Sequence, residues 1–296
     1  MIIRSNIQSE ELAFNAGHIL YVEGKPDSID VRVLSAILPV SVRPMGASFY
    51  IKSTAESLYK THPKYYFLID RDHYDDEMVE KYWADFPSAD TPNLLIWRKK
   101  EIENYFLDPT YLEQSSYFNQ KSKKTADIRD RIQKSARMYL YLSAANQVIV
   151  HVREKLKRNW IEAFHSKEDF PTADAALEKL ISRKEFDSFD KEVSSIVSVA
   201  SLSSLFETFL NTLTGGESNL IWGKGRWLDM LPAKGIMHDV LQSSLFTVKD
   251  RAGHLLKNRE KEDEIIRDLV KPNRVLPADF VALKSLLEAR MATVIA

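Results

Sequence analysis

Apolar residues in the first third of the chain come in short unbroken runs. Ile19-Leu20-Tyr21-Val22 stops at Glu23-Gly24, and Tyr66-Phe67-Leu68-Ile69 stops at Asp70-Arg71-Asp72. Runs of four or five β-branched and aromatic residues bounded by Gly, Pro or charge read as strands buried on both faces. Asn93-Leu94-Leu95-Ile96-Trp97 offers a further strand, and Val40 to Gly46 a strand and turn. Helical patterns fall between them. Ser28 to Leu38 places Leu34, Ile37 and Leu38 on one face behind Asp27, a plausible N-cap; Ser48 to Tyr59 and Asp75 to Trp83 are the next two, the last acidic at its start as the helix dipole favours. Strand and helix alternate throughout, which predicts an α/β domain with a mainly parallel sheet flanked by helices and right-handed crossovers.

From about residue 112 the pattern changes to helical spacing. Ile128 to Arg158 contains no Gly or Pro and carries Leu140, Val148, Val152 and Leu156 among its apolar positions. Shorter helices are predicted around Ala173 to Arg183, Phe186 to Val199, Leu202 to Leu213, Ala233 to Ser243, Arg251 to Val270 and Asp279 to Ala292, with Pro171, Gly215-Gly216, Pro232, Pro272 and Pro277 as breakers. The expectation is a catalytic α/β domain over 1–111 and a mainly α-helical domain over 112–296.

Composition narrows the classes. The 296 residues are 44% hydrophobic and 28% charged, a globular composition. No apolar stretch approaches about 18 residues and no basic-then-apolar leader opens the chain, so a cytoplasmic protein with no membrane partner is expected. The absence of cysteine excludes disulfides and thiolate zinc sites. Net charge is only −1, but it is unevenly spread: residues 1–110 hold 12 basic and 17 acidic side chains, whereas Lys121 to Arg158 holds 11 basic side chains against Asp127, Asp130 and Glu154. That stretch, with Lys124, Arg131, Lys134, Lys155 and Arg158, is a candidate nucleic-acid footprint, or else a solvated helix face.

Chemistry concentrates at the strand ends. Glu23, Asp70 and Asp72 would lie at the carboxyl edge of the sheet, where open α/β sheets bind ligands. Carboxylates gathered there repel one another, and the repulsion is relieved either by protonation or by a bound divalent cation. Mg2+ takes oxygen ligands at about 2.0–2.1 Å, uses few protein carboxylates and completes its shell with water and phosphate oxygens. One or two Mg2+ ions are therefore expected, with Mn2+ as a substitute, and phosphate chemistry with them. Two ions would lie about 3.5–4 Å apart.

The joint pattern of strand-Glu23-Gly24-x-x-Asp27 and strand-Asp70-x-Asp72 resembles the Toprim domain over about residues 15–108. Glu101-Ile102-Glu103-Asn104-Tyr105 is similar to a signature of the OLD-like Toprim branch, which includes the effector subunits of the PARIS anti-phage defence systems. The resemblance implies that Asp70 and Asp72 hold the metal, and that Glu23 with Glu101 or Glu103 completes its shell or activates water. Asp27 would orient or bind a second ion, and Lys99, Lys100 and Lys224 would neutralise charge on the phosphate. It also implies a toxic endoribonuclease that is held by an AriA-like ATPase partner subunit, acts as a homodimer once released and cleaves host tRNA. The alternatives are an OLD-like DNA endonuclease, or a noncatalytic binding subunit of the same shape.

Three further features carry less. Trp222-Gly223-Lys224-Gly225 lacks the spacing and the Ser/Thr of a Walker A loop, so nucleotide hydrolysis is not expected, and the loop reads equally as a surface turn. His73 beside Asp72 reads more simply as a solvated loop histidine than as a participant. Tyr105 reads as packing behind Glu101 and Glu103.

Overall fold

The computed structural model describes residues 17–72, 74–86, 88, 90–157 and 191–295. His73, Arg158 and the helix expected at 173–183 lie outside the described residues, as does the first part of the one expected at 186–199. The chain opens as expected: β1 (Ile19–Glu23), α1 (Ile29–Ile37), β2 (Ser41–Gly46), α2 (Ser48–Leu58), β3 (Tyr65–Ile69), α3 (Asp76–Asp85) and β4 (Leu94–Ile96). All strand pairs are parallel and the order is β2-β1-β3-β4. All five residues of β3 and the first four of β1 are buried, as central strands covered on both faces require. β2 is an edge strand, which is why Pro44, having no N–H to give the ladder, is tolerated opposite Val22.

The cap of α1 differs from expectation. Ser28, not Asp27, accepts the first-turn N–H of Val31. Asp27 instead points to a distant helix and is ion-paired at 2.6 Å with Arg259. Asp75 caps α3 through the N–H of Met78.

After the sheet come a 3-10 turn (Ile102–Phe106), α4 (Pro109–Glu113), α5 (Thr125–Lys157), α6 (Val199–Thr214), α7 (Trp227–Met230), α8 (Ala233–Gln242), α9 (Asn258–Leu269) and α10 (Ala278–Ile295). About 56% of the structure is helical. No helix among the described residues is long and apolar enough to cross a membrane. Along α5 the buried positions Ile128, Ile132, Ala136, Leu140, Ala144 and Val148 recur every fourth residue. α9 starts seven residues later than Arg251, because residues 249–255 fold back on themselves. Lys249 bridges to Leu255, and the Asp250 carboxylate accepts the His254 N–H at 2.8 Å.

Packing divides the chain into two compact units, residues 1–139 with 227–296, and residues 140–226. This division does not fall at 111/112, and the contacts of the last helices explain it. Phe280 of α10 lies 5.7 Å from the Trp97 ring and 5.1 Å from Tyr105. Asn104 donates to the carbonyls of Leu228 and Leu231, and the fully buried Arg290 donates to Asn93 at 2.6 Å. The C-terminal segment thus belongs to the core of the sheet domain.

Within the second unit the Gly-Lys-Gly loop has a packing explanation. Arg226 donates its N–H to the Thr212 carbonyl at 3.0 Å, closing the loop onto the end of α6. Gly225 sits at φ 64°, and a Cβ there would meet the Leu213 carbonyl oxygen at 2.1 Å, so no larger residue fits. Lys224 is ion-paired with Glu217 inside this loop. Gly225→Ala is expected to destabilise the second unit by about 2–3 kcal/mol, whereas Lys224→Ala leaves it nearly unchanged. Chemical denaturation of the two variants checks this, and equal midpoints would refute it.

Candidate active site

β1 and β3 are neighbours with Val22 opposite Leu68, so their terminal acids emerge together. The Asp70 N–H donates to Glu23 Oε2 at 2.8 Å. A second anchor comes from the start of α2, where the N–H and the hydroxyl of Ser48 both bond to the Glu23 carboxylate. Glu23 is thus seated on a helix N-terminus, which favours an anion. Burial nonetheless raises its pKa, with repulsion from Asp72 adding to the effect.

Asp70 is the most perturbed acid of the cluster. Burial strips its carboxyl of water, and Asp30, Glu23, Glu101 and Glu103 each add repulsion, pushing its pKa up to about 9. Glu103, buried in the 3-10 turn, is pushed up to about 8 by burial and by the charges of Glu101 and Asp30. Glu101 opens that turn in a capping box with Asn104 and accepts the N–H of Lys234 at the start of α8 at 2.8 Å. Glu23, Asp70, Glu101 and Glu103 are therefore brought into one cluster.

Asp30 belongs to the cluster too, and sequence reasoning missed it. Burial, reinforced by Glu23 and Glu101, pushes its pKa up to about 7, against a hydrogen bond from Trp97. Its signal was an acid on an apolar stripe, since Val33, Leu34 and Ile37, at three, four and seven residues further on, are all buried.

Asp72 is exposed at the rim, in a left-handed backbone conformation at φ 44° that Asp tolerates. Asp27 is turned aside: Arg259 binds both its carboxylate and its carbonyl, holding its pKa below the usual range. Lys99 is ion-paired with Asp229 at 3.3 Å and lies 5.4 Å from the centroid of the Tyr105 ring. The Lys100 backbone is fixed from both sides, donating to the Asp229 carbonyl and accepting from the Arg71 N–H. Arg71, also missed, is the brace behind the site. Its buried guanidinium donates to the carbonyls of Tyr74 and Arg98 and to Asp76, tying the loop after β3 to the loop after β4. Tyr105 is buried and donates to Asp279 at 2.8 Å, a packing role as expected.

The basic stretch is only partly free to act. Lys124, just before α5, and Lys134 and Lys155 on it are exposed. Arg131 is not: its guanidinium donates twice to the Asp239 carbonyl, capping the last turn of α8.

The acids offer hard oxygen donors suited to Mg2+. Among the described residues no three His, Asp or Glu side chains stand together closely enough to hold a metal ion. One or two carboxylates with water and phosphate oxygens are the usual Mg2+ shell, so pairs drawn from this cluster fit the ion. No family model matches the chain, and no curated protein does.

A pH dependence follows from the cluster. Asp70, Glu103 and Asp30 bind protons more tightly in the folded state than in the unfolded chain, where Asp titrates at 3.8. The unfolded state therefore holds fewer protons between about pH 4 and pH 9, and stability falls as pH rises through that window. Thermal melts in chelator are expected to show a lower midpoint near pH 8 than near pH 5, with Mg2+ restoring much of the difference and Asp70→Asn flattening it. A midpoint independent of pH would refute the coupling.

Proposed function

We propose that this chain is a Toprim endonuclease of the OLD-like branch, hydrolysing a nucleic-acid phosphodiester with one or two Mg2+ ions. One observation carries the reading: five carboxylates, Glu23, Asp30, Asp70, Glu101 and Glu103, share the carboxyl edge of a parallel sheet, where burial and their neighbours' charge raise the pKa values of Glu23, Asp30, Asp70 and Glu103. An edge of that kind is a ligand site, and its electrostatics call for a cation.

Asp70 with Glu23 or Glu103 would hold the ion, and a bound ion would polarise the phosphoryl oxygens and lower the pKa of an attacking water. Glu23 is the best-fixed group, held by the Asp70 N–H and by Ser48, and takes the task of orienting that water or accepting its proton. Lys100 offsets charge on the phosphate, while Lys99 is committed to Asp229. The exposed Lys124, Lys134 and Lys155 supply backbone contacts.

The finer biology rests on the resemblance of Glu101 to Tyr105. On it, the chain is an AriB-like toxic effector of an anti-phage defence system, released from an AriA-like ATPase partner to cleave host tRNA as a homodimer. A noncatalytic subunit is the second reading, favoured by the engagement of Asp27 with Arg259 and by the lack of a three-acid shell among the described residues.

Expression of the wild type and Glu23→Ala in cells, with and without the ATPase and trigger, separates these readings. Discrete tRNA ends that fall by at least about 100-fold in Glu23→Ala, with the fold intact, are expected. Glu23-dependent breaks in DNA alone would replace RNA as substrate, and breaks unaffected by Glu23→Ala would remove the site assignment. Lys155→Ala is expected to weaken binding of all sequences alike and to reduce the slope of log affinity against log salt by about 1.

A further inference from the structure

Helix α2 carries the anchor of Glu23 at its first residue, Ser48, and an aromatic ring at its second. Phe49 is 74% exposed, the most exposed aromatic among the described residues, and Tyr50 beside it is 38% exposed. Their ring centroids are 5.8 Å apart with planes at 74°. This exposure is not loose packing. On the opposite side of the helix Ile51 and Ala55 are completely buried, which fixes the rotation of α2 and holds the Phe49 side outward.

Two lysines lie on the segments that meet at the start of α2. Gly24 donates its N–H to the Gly46 carbonyl at 3.2 Å, pinning the loop that carries the exposed Lys25 beside the turn that leads into α2. Lys52, one helical turn beyond Phe49, has its ammonium 5.5 Å from the centroid of the Tyr74 ring. An exposed aromatic with lysines on the adjoining segments suits an unpaired strand, whose phosphates meet the cations while a base lies on the ring. A base inside a duplex is already stacked and cannot reach such a ring unless it is flipped out.

We propose that Phe49 is a stacking platform for an unpaired nucleobase beside the scissile phosphate, which makes single-stranded nucleic acid the substrate of the acidic site. The assignment rests on the nuclease reading and adds the substrate class to it. An apolar protein partner is the competing occupant of the ring, and Lys25 and Lys52 on the adjoining segments favour the polyanion.

The test is binding of a short fluorescein-labelled oligoribonucleotide, single-stranded or annealed, to the full chain in chelator. Phe49→Ala is expected to weaken single-strand binding roughly 10- to 100-fold, to leave duplex binding and the salt slope unchanged, and to be rescued by Phe49→Trp. Lys25→Ala with Lys52→Ala should instead flatten the salt slope. Unchanged single-strand affinity in Phe49→Ala, or equal losses on single strand and duplex, would overturn the platform while leaving nuclease activity standing. Loss of ATPase association with RNA binding intact would make Phe49 a protein contact. Failure of the wild-type chain to bind either probe would overturn the platform, whereas the nuclease reading stands or falls with Glu23-dependent cleavage.

Discussion

Repulsion between like charges is the constraint to which this edge of the molecule answers. Parallel pairing of β1 with β3 leaves no choice about where Glu23 and Asp70 emerge, and Asp30, Glu101 and Glu103 arrive from two further segments. The fold offsets part of the cost with dipoles. Two carboxylates sit on helix N-termini, Glu23 at α2 and Glu101 at α8, and Glu23 also takes the N–H of Asp70. What remains is carried as tightly held protons, a load that a divalent cation can exchange for its own charge.

Holding such a cluster requires a rigid surround. Arg71 is buried, and each of its three guanidinium nitrogens donates to a carbonyl or a carboxylate, so it adds stiffness behind the site. The 3-10 turn that delivers Glu103 is pinned by its own capping box and by the two carbonyls that Asn104 reaches on and just after α7. From the other side, α9 grips the β1–α1 segment, with Arg259 on Asp27 and Asp263 on Arg32. Exposed ion pairs of this kind contribute little stability singly, and their effect here is on position.

The sheet was legible because central parallel strands must be apolar on both faces, and Tyr65 to Ile69 can hardly be read otherwise. Glu23, Asp70, Glu101 and Glu103 were legible for the same reason, as acids that end or follow those runs. Asp30 was hidden by its neighbours: within a helix an isolated acid reads as solvated surface, and only the burial of Val33, Leu34 and Ile37 shows that it faces inward. Asp27 misled because its partner, Arg259, is 232 positions away, and no local rule reaches that far. Arg131 looked like part of a basic surface until Asp239, 108 positions away, supplied a carbonyl for it.

The return of the chain's last helix to the first domain has an evolutionary consequence. Arg290 reaches Asn93, which in turn holds the carbonyls of Pro63 and Tyr65, and Phe280 completes the aromatic layer under Trp97 and Tyr105. Recombination at residue 111 would therefore separate these partners, so the acidic sheet is not a portable cassette. An insertion between residues 140 and 226 would leave these contacts untouched, because that stretch forms its own unit.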